Sequence, residues 1–309
     1  DTLNKFKNSN SNISSFLTIQ EGCDKFCNFC VVPYTRGAEF SRSINEIYNE
    51  AEDLINNGAR EIVLLGQNVN AFNNEGNKLS NLIKKISKIN NLKRIRYTTS
   101  HPIDFSHDLI EAHKDIEKLM PMIHLPIQSG SNKILKSMNR KHTIEEYLLL
   151  IEKLKKNNTN IKFSSDFIIG YPGETEKDFE KTLKLINKVE YINTYSFIYS
   201  SRPGTPASKM ENTKHTVLKE RLLIFQREAK KIKIEYRKKL LNKNSKVLFE
   251  NRIGNKNEFF GRDEFSNSVI VTSKDNLIGK IKDVKIIEVN QNTLFGKVDQ
   301  KVEEKEHAA

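Results

Sequence analysis

From residue 16 to about residue 240 the chain alternates short apolar runs with amphipathic stretches, and this alternation limits the possible folds more than any other feature. The apolar runs fall at 16–20, 61–65, 95–99, 122–127, 162–169 and 194–199. Helical periodicities lie between them at 44–56, 79–89, 108–119, 144–155 and 176–189. Strand, helix and strand in turn at this spacing predict parallel strands joined by crossover helices. Six such units are too few for a complete eight-fold barrel but suffice for a partial, open one, with its chemistry at the C-terminal strand ends. The expected fold class is therefore α/β, a six-unit partial β/α barrel over residues 16–241.

After residue 242 no helical period survives. Runs at 246–250, 258–262, 268–272, 277–289 and 293–298, with turns at Gly254-Asn255 and Gly279, read as five short strands. That pattern predicts a small all-β barrel of the oligonucleotide-binding kind over 242–304. A long helix at 217–240 links the two parts, with Leu218, Leu222, Phe225, Ala229, Ile232 and Tyr236 forming one apolar stripe. Its other face is basic, and Lys230, Lys231, Lys238 and Lys239 are candidates to meet phosphate; a solvated helix face explains them equally well. Residues 1–15, polar and rich in Asn and Ser, read as a linker following a domain not contained in this sequence, and 305–309 as a frayed tail.

The chain has only three cysteines, and all fall within "EGCDKFCNFCVVPYTRG": Cys23, Cys27 and Cys30. An odd number forms no complete disulfide framework, and three is one short of a closed tetrahedral zinc site. Thiolates are soft ligands, selecting zinc, copper(I) or iron–sulfur clusters. A [4Fe-4S] cluster on three thiolates keeps one iron free for an exchangeable ligand, and Phe26 and Phe29 would screen it from water. The loop begins where the first strand ends, at the reactive end of a barrel.

The formal net charge is +12 with a pI near 9.4, which favours a polyanionic partner such as nucleic acid, although a Lys-, Asn- and Ile-rich composition supplies part of it. No apolar run reaches the roughly 20 residues that span a bilayer, so no membrane role is expected. No signal segment opens the sequence, and clustered thiols in such a chain suggest the reducing cytoplasm.

Cys-x3-Cys-x2-Cys with an aromatic before the last cysteine resembles the signature of the radical S-adenosylmethionine enzymes. The longer string "CNFCVVPYTRGAEFSR" is similar to the MiaB-type tRNA methylthiotransferases. So, in order, are "LLGQNVNAF", "YTTSHP", "HLPIQSGS", "MNRKHT", "DFIIGYPGET" and "SSRPGTPA", and the C-terminal barrel resembles a TRAM domain. The resemblance covers about residues 16–298. It implies a radical SAM domain and a tRNA-holding TRAM domain, with Cys23, Cys27 and Cys30 ligating the cluster and S-adenosyl-L-methionine on the free iron. One electron from the cluster then yields a 5′-deoxyadenosyl radical, so the cofactor carries the hard chemistry. The implied reaction adds a methylthio group at C2 of N6-dimethylallyladenosine, beside the anticodon of tRNA. The implied partners are that tRNA and a reductant such as flavodoxin or ferredoxin.

The strand-end motifs then become cofactor candidates. Gly66, Gln67 and Asn68 follow the second strand, His124, Gln128 and Ser129 the fourth, and Gly170, Gly173 and Glu174 the fifth. Glycines let backbone amides approach a ligand, but a Pro-Gly turn before a helix capped by Glu174 and Thr175 explains the last group equally well. Arg36, Arg140 and Lys141 are candidates to meet tRNA phosphate, against a reading as surface cations. Relatives in the resembled family carry a further N-terminal domain with three more cysteines and a second [4Fe-4S] cluster. With three cysteines, this chain is expected to cleave S-adenosylmethionine without completing sulfur insertion. Threonylcarbamoyladenosine in tRNA or a ribosomal protein is the alternative substrate; a non-catalytic tRNA-binding fragment and a zinc-stabilised module are the alternatives of other classes.

Overall fold

The computed structural model describes residues 12–211, 214–254 and 257–299. The first part contains six parallel strands: β1 (Ser14–Thr18), β4 (Glu61–Leu65), β7 (Arg94–Tyr97), β8 (Met122–His124), β9 (Lys162–Ile169) and β10 (Asn193–Ile198). Two-residue strands β2 (Gln20–Glu21) and β3 (Phe40–Ser41) pair with each other, as do β5 (Asn73–Asn74) and β6 (Asn77–Lys78). The helices are α1 (Val32–Arg36), α2 (Ile44–Asn56), α3 (Leu79–Ile86), α4 (His107–Asp115), α5 (Asn132–Ser137), α6 (Ile144–Asn157), α7 (Glu176–Val189) and α8 (His215–Lys238). β1, β4 and β7 form one sheet and β8, β9 and β10 another, bridged in parallel between Ile95 and Leu119. The result is a half-barrel open between β1 and β10, as the alternation predicts.

Its helices form for local reasons. Ser43 accepts a hydrogen bond from Asn45 N ahead of α2, which then buries Ile47, Ala51 and Ile55 at four-residue steps. Thr143 with Glu146, and Thr175 with Asp178, close reciprocal capping boxes on α6 and α7. Successive strand residues point to opposite faces, so Leu17, Ile62, Leu64, Ile95, Phe163 and Phe167 meet the helices in the core while their neighbours line the lumen. α8 closes the outer layer, with the Phe225 ring 4.8 Å from that of Phe167.

The second part is a closed barrel of β11 (Asn244–Arg252), β12 (Glu258–Asp263), β13 (Ser268–Thr272), β14 (Ile281–Val289) and β15 (Thr293–Val298), in the order β11-β12-β13-β15-β14. The run read as a strand from 277 begins only at Ile281. Gly279 takes φ +75° in a turn there, while Leu277 tucks into the barrel core. Buried arginines join the two parts. Arg94 donates to the carbonyls of Arg262 and Lys246, and Arg96 to Glu264 O, Asp263 O and the Glu61 carboxylate. Arg237, next to Lys238 in α8, is buried and donates to Asn290 O and Asn292 O.

β1 takes in Ser14 and Ser15 from the stretch read as a linker; the rest of it, to residue 11, lies outside the described residues, as do Asn255 and the 305–309 tail. No described helix is long and apolar enough to cross a membrane.

Candidate active site at the mouth of the open barrel

The cysteine loop leaves β1 at the C-terminal end of the half-barrel. Gly22 makes the turn: it has φ +74°, and a Cβ there would lie 1.9 Å from Ala38 O, so only glycine fits. Cys23 N then donates to Gly37 O and Cys30 N to Cys27 O. Cys27 is buried, Cys23 and Cys30 half-buried, and all three are free thiols. Burial pushes the Cys23 thiol up to about 11, with Glu39 and the neighbouring Cys27 and Cys30 adding to the rise. Burial raises Cys30 as well. Among the described residues no three His, Cys, Asp or Glu side chains group closely enough for a single metal ion. Three thiols are one ligand short of a closed zinc site, and a polynuclear cluster held at its corners by thiolates takes such a donor set.

A residue the sequence reading missed organises the floor of this loop. Gln20 is wholly buried; its amide donates to Glu21 O and Gly22 O and accepts from Gln67 N and Asn68 N. Gly66 is needed because a Cβ there would strike Gln20 Oε1 at 2.6 Å. Gln67 Oε1 accepts from Gly22 N. The Asn68 amide donates to Glu39 and to Asp104, and Asp104 pairs with Lys25 at 2.8 Å. The second-strand motif is thus the brace of the cysteine loop.

Residues from all six strands, among them Phe16, Val63, Arg96, His124, Asp166 and Tyr195, line a lumen cavity of 570 Å³ beneath, which Arg262 and Ser266 of the closed barrel also border. His124 faces it with Nδ1 2.8 Å from Ser164 Oγ, Nε2 3.4 Å from Asp166 Oδ2, and its ring edge-on to Tyr195. Gln128 has φ +75° and its backbone continues the pairing with β9, donating to Asp166 O and accepting from Ile168 N. Ser129 is buried, its hydroxyl accepting from Ser131 N.

Other candidates are committed elsewhere. A Cβ on Gly170 would meet Leu218 Cδ2 at 2.0 Å, so this glycine admits α8 against the strand end. The Glu174 carboxylate accepts from Gly170 N and pairs with Arg221 at 3.1 Å; burial pushes it up to about 7 against the pull of Arg221. In this arrangement both residues pack α8 and the turn before α7 onto the strand end. Gly173 has φ +82° and open space beside it, and Lys133 Nζ donates to its carbonyl.

Arg140, read as a phosphate contact, is buried: Nη1 lies 3.6 Å from Cys27 Sγ and Nη2 donates to Pro126 O. Lys141 and Arg36 are exposed on the rim. Lys231 pairs with Glu228 and Lys238 with Glu235 along α8, more acid balance than the sequence suggests, while Lys230 and Lys239 stay exposed. Lys230 and Lys233 line a 320 Å³ groove beside Tyr195 and Phe197 of the barrel edge.

A half-barrel with three thiols on one loop at its mouth matches one class of protein. Residues 17–186 fit the family profile of the radical SAM superfamily and residues 238–298 that of the TRAM domain. Among solved structures the chain is similar to a radical S-adenosylmethionine methyltransferase, TsrM, from Kitasatospora setae (TM-score 0.53, 16% identity, 63% of this chain and 38% of that one). It is also similar to coproporphyrinogen III oxidase (HemN) from Escherichia coli (TM-score 0.50, 13% identity, 93% and 71%). At these identities the likeness concerns the fold alone. Curated relatives are closer. The chain is 54% identical over 315 residues to the tRNA-2-methylthio-N(6)-dimethylallyladenosine synthase of Pelagibacter ubique (strain HTCC1062), covering 99% of this chain and 71% of that protein. It is 53% identical to the protein of the same name from Wolbachia pipientis subsp. Culex pipiens (strain wPip), covering 92% and 66%. The chain belongs to the radical SAM superfamily and, within it, to the tRNA-2-methylthio-N(6)-dimethylallyladenosine synthase family. It spans about two thirds of the length of the curated relatives it matches.

Proposed function

We propose that this chain is the radical-generating and tRNA-holding part of a methylthiotransferase that acts on N6-dimethylallyladenosine in tRNA, in the cytoplasm. The observation that carries the reading is the placement of Cys23, Cys27 and Cys30 on one loop at the mouth of an open barrel whose lumen is lined from all six strands. Cys23, Cys27 and Cys30 would hold a [4Fe-4S] cluster, which, reduced by a flavodoxin- or ferredoxin-type donor, supplies the electron that cleaves S-adenosylmethionine. The protein's own share is placement. Gln20, Gln67 and Gly22 fix the loop, Phe26 shields it from one side, and the lumen from Phe16 to Tyr195 receives the rest of the cofactor and the base. His124, held between Ser164 and Asp166, faces that lumen as a hydrogen-bonding group. The closed barrel and the exposed lysines of α8 hold the tRNA through its phosphates.

The three thiols are all the cysteines of the sequence, so none remains for a second cluster in sulfur insertion. The test is anaerobic reconstitution with iron and sulfide, then addition of dithionite, S-adenosylmethionine and tRNA bearing N6-dimethylallyladenosine. Mass spectrometry should find 5′-deoxyadenosine and no 2-methylthio nucleoside, and a Cys23→Ala, Cys27→Ala, Cys30→Ala variant should give neither. Methylthiolated tRNA from this chain alone contradicts the division of labour; a loaded cluster that makes no deoxyadenosine contradicts the radical reading.

A further inference from the structure

The turn that follows α5 forms the second wall of the cysteine loop. Asn28 N donates to Met138 O, the Asn28 amide to Ser137 O, and the Asn139 amide to Phe26 O. Asn139 and Lys141 both take left-handed backbone, at φ +61° and +60°, and the residue between them turns inward. That residue is Arg140, 4% exposed. Its guanidinium bonds Cys27 Sγ and Pro126 O, Nε has no partner, and no carboxylate pairs with it among the described residues. Behind it stand two imidazoles packed edge to face, His101 and His142, their ring centroids 5.6 Å apart. His142 Nδ1 bonds Arg140 O at 2.8 Å, and Asn70 clamps His101 through both backbone groups. Both rings are held neutral, by burial first and by the Arg140 charge second; burial lowers His142 to about 4.

A guanidinium removed from water without an anion is strongly disfavoured. The ionisable atom it faces is a cysteine sulfur, so the anion that satisfies it belongs to the thiolate site. We propose that Arg140 is a positioning residue for the cluster: it donates to Cys27 Sγ, supplies the buried counter-charge to the [4Fe-4S] group on Cys23, Cys27 and Cys30, and holds its reduction potential up. The inference rests on the cluster reading given above. Its sign follows from charge: reduction adds one electron to the cluster, and a fixed cation with a hydrogen bond to sulfur favours the more negative state. A contact from Arg140 to RNA phosphate is incompatible with its burial.

The test compares the wild-type chain, Arg140→Gln and Arg140→Lys after reconstitution, by redox titration with dithionite and viologen mediators followed by electron paramagnetic resonance. Arg140→Gln should titrate at least about 59 mV lower, a tenfold loss in relative stability of the reduced form, with Arg140→Lys between it and wild type. Coincident potentials at equal iron content overturn the proposal. Wild type labelled with 15N-guanidino arginine gives a second readout that needs no stable variant: pulsed resonance of the reduced cluster should show 15N coupling, and its absence overturns the contact. A wild-type chain that takes up no iron–sulfur cluster overturns the cluster reading as well, and is told apart by the missing signal in every sample.

Discussion

At the scale of single residues, placement of the thiols depends on backbone that few side chains tolerate. Gly22 is the sharpest case, since its left-handed φ and its contact with Ala38 O leave no room for a methyl group. Gly22→Ala should therefore displace Cys23 while leaving the half-barrel folded, with strain of about 1–3 kcal/mol. The expected result is an unchanged circular dichroism spectrum with iron uptake reduced at least several-fold; full iron loading would show that the loop adapts. The thiols themselves were legible from spacing alone. Gln20 was not, because a glutamine next to a strand end carries no signal in the sequence that its amide will bind four backbone groups. Arg140 is a related case: an arginine in the polar string Asn139-Arg140-Lys141-His142 looks like a surface cation until the loop that buries it is placed.

At the scale of elements, periodicity located the six strands of the half-barrel and the bounds of α2, α7, β4, β9, β13 and β15. α5 escaped because six residues give fewer than two turns, too short for a period to emerge. The C-terminal ends of α3 and α4 were read too long, since apolar residues such as Ile89 and Leu119 stay buried after the helix has ended. Capping chemistry ties two of these elements together. Asp178 serves the α7 capping box, accepts from Ser131 Oγ beside α5, and pairs with Lys133. Thr175→Ala should cost about 1 kcal/mol, read as a lower urea midpoint without a change in slope. No change in midpoint would mean that the Asp178 contacts hold the helix start unaided.

At the scale of the whole molecule, arginines fix the closed barrel to the N-terminal end of the half-barrel, opposite the thiols. Arg96 is the central one, with Glu61 buried against it at 2.9 Å and two carbonyls of the closed barrel on its other nitrogens. Arg96→Ala leaves that carboxylate unpaired, so a loss of about 3–5 kcal/mol is expected, together with separate melting of the two parts by calorimetry. A single transition at the wild-type temperature would contradict the strut. Acid sensitivity also belongs to this scale. His113, bonded to Tyr97 at 2.7 Å, is lowered by burial from 6.5 to about 3, and His142 to about 4. The unfolded chain binds protons there that the native one does not, so stability present above pH 6.5 is lost as pH falls towards about 3. Urea unfolding across that window should show a steep loss, and His113→Gln should flatten it; equal slopes would place the acid sensitivity elsewhere.

The central claim is that three thiolates at the mouth of this half-barrel hold a cluster with one iron left free for a cofactor. Mössbauer spectroscopy of 57Fe-reconstituted protein, recorded with and without S-adenosylmethionine, tests it most directly. The account predicts a [4Fe-4S] spectrum in which one iron of the four changes its isomer shift when the cofactor is added. A chain that takes up only zinc, or a cluster whose irons all ignore saturating S-adenosylmethionine, would contradict it.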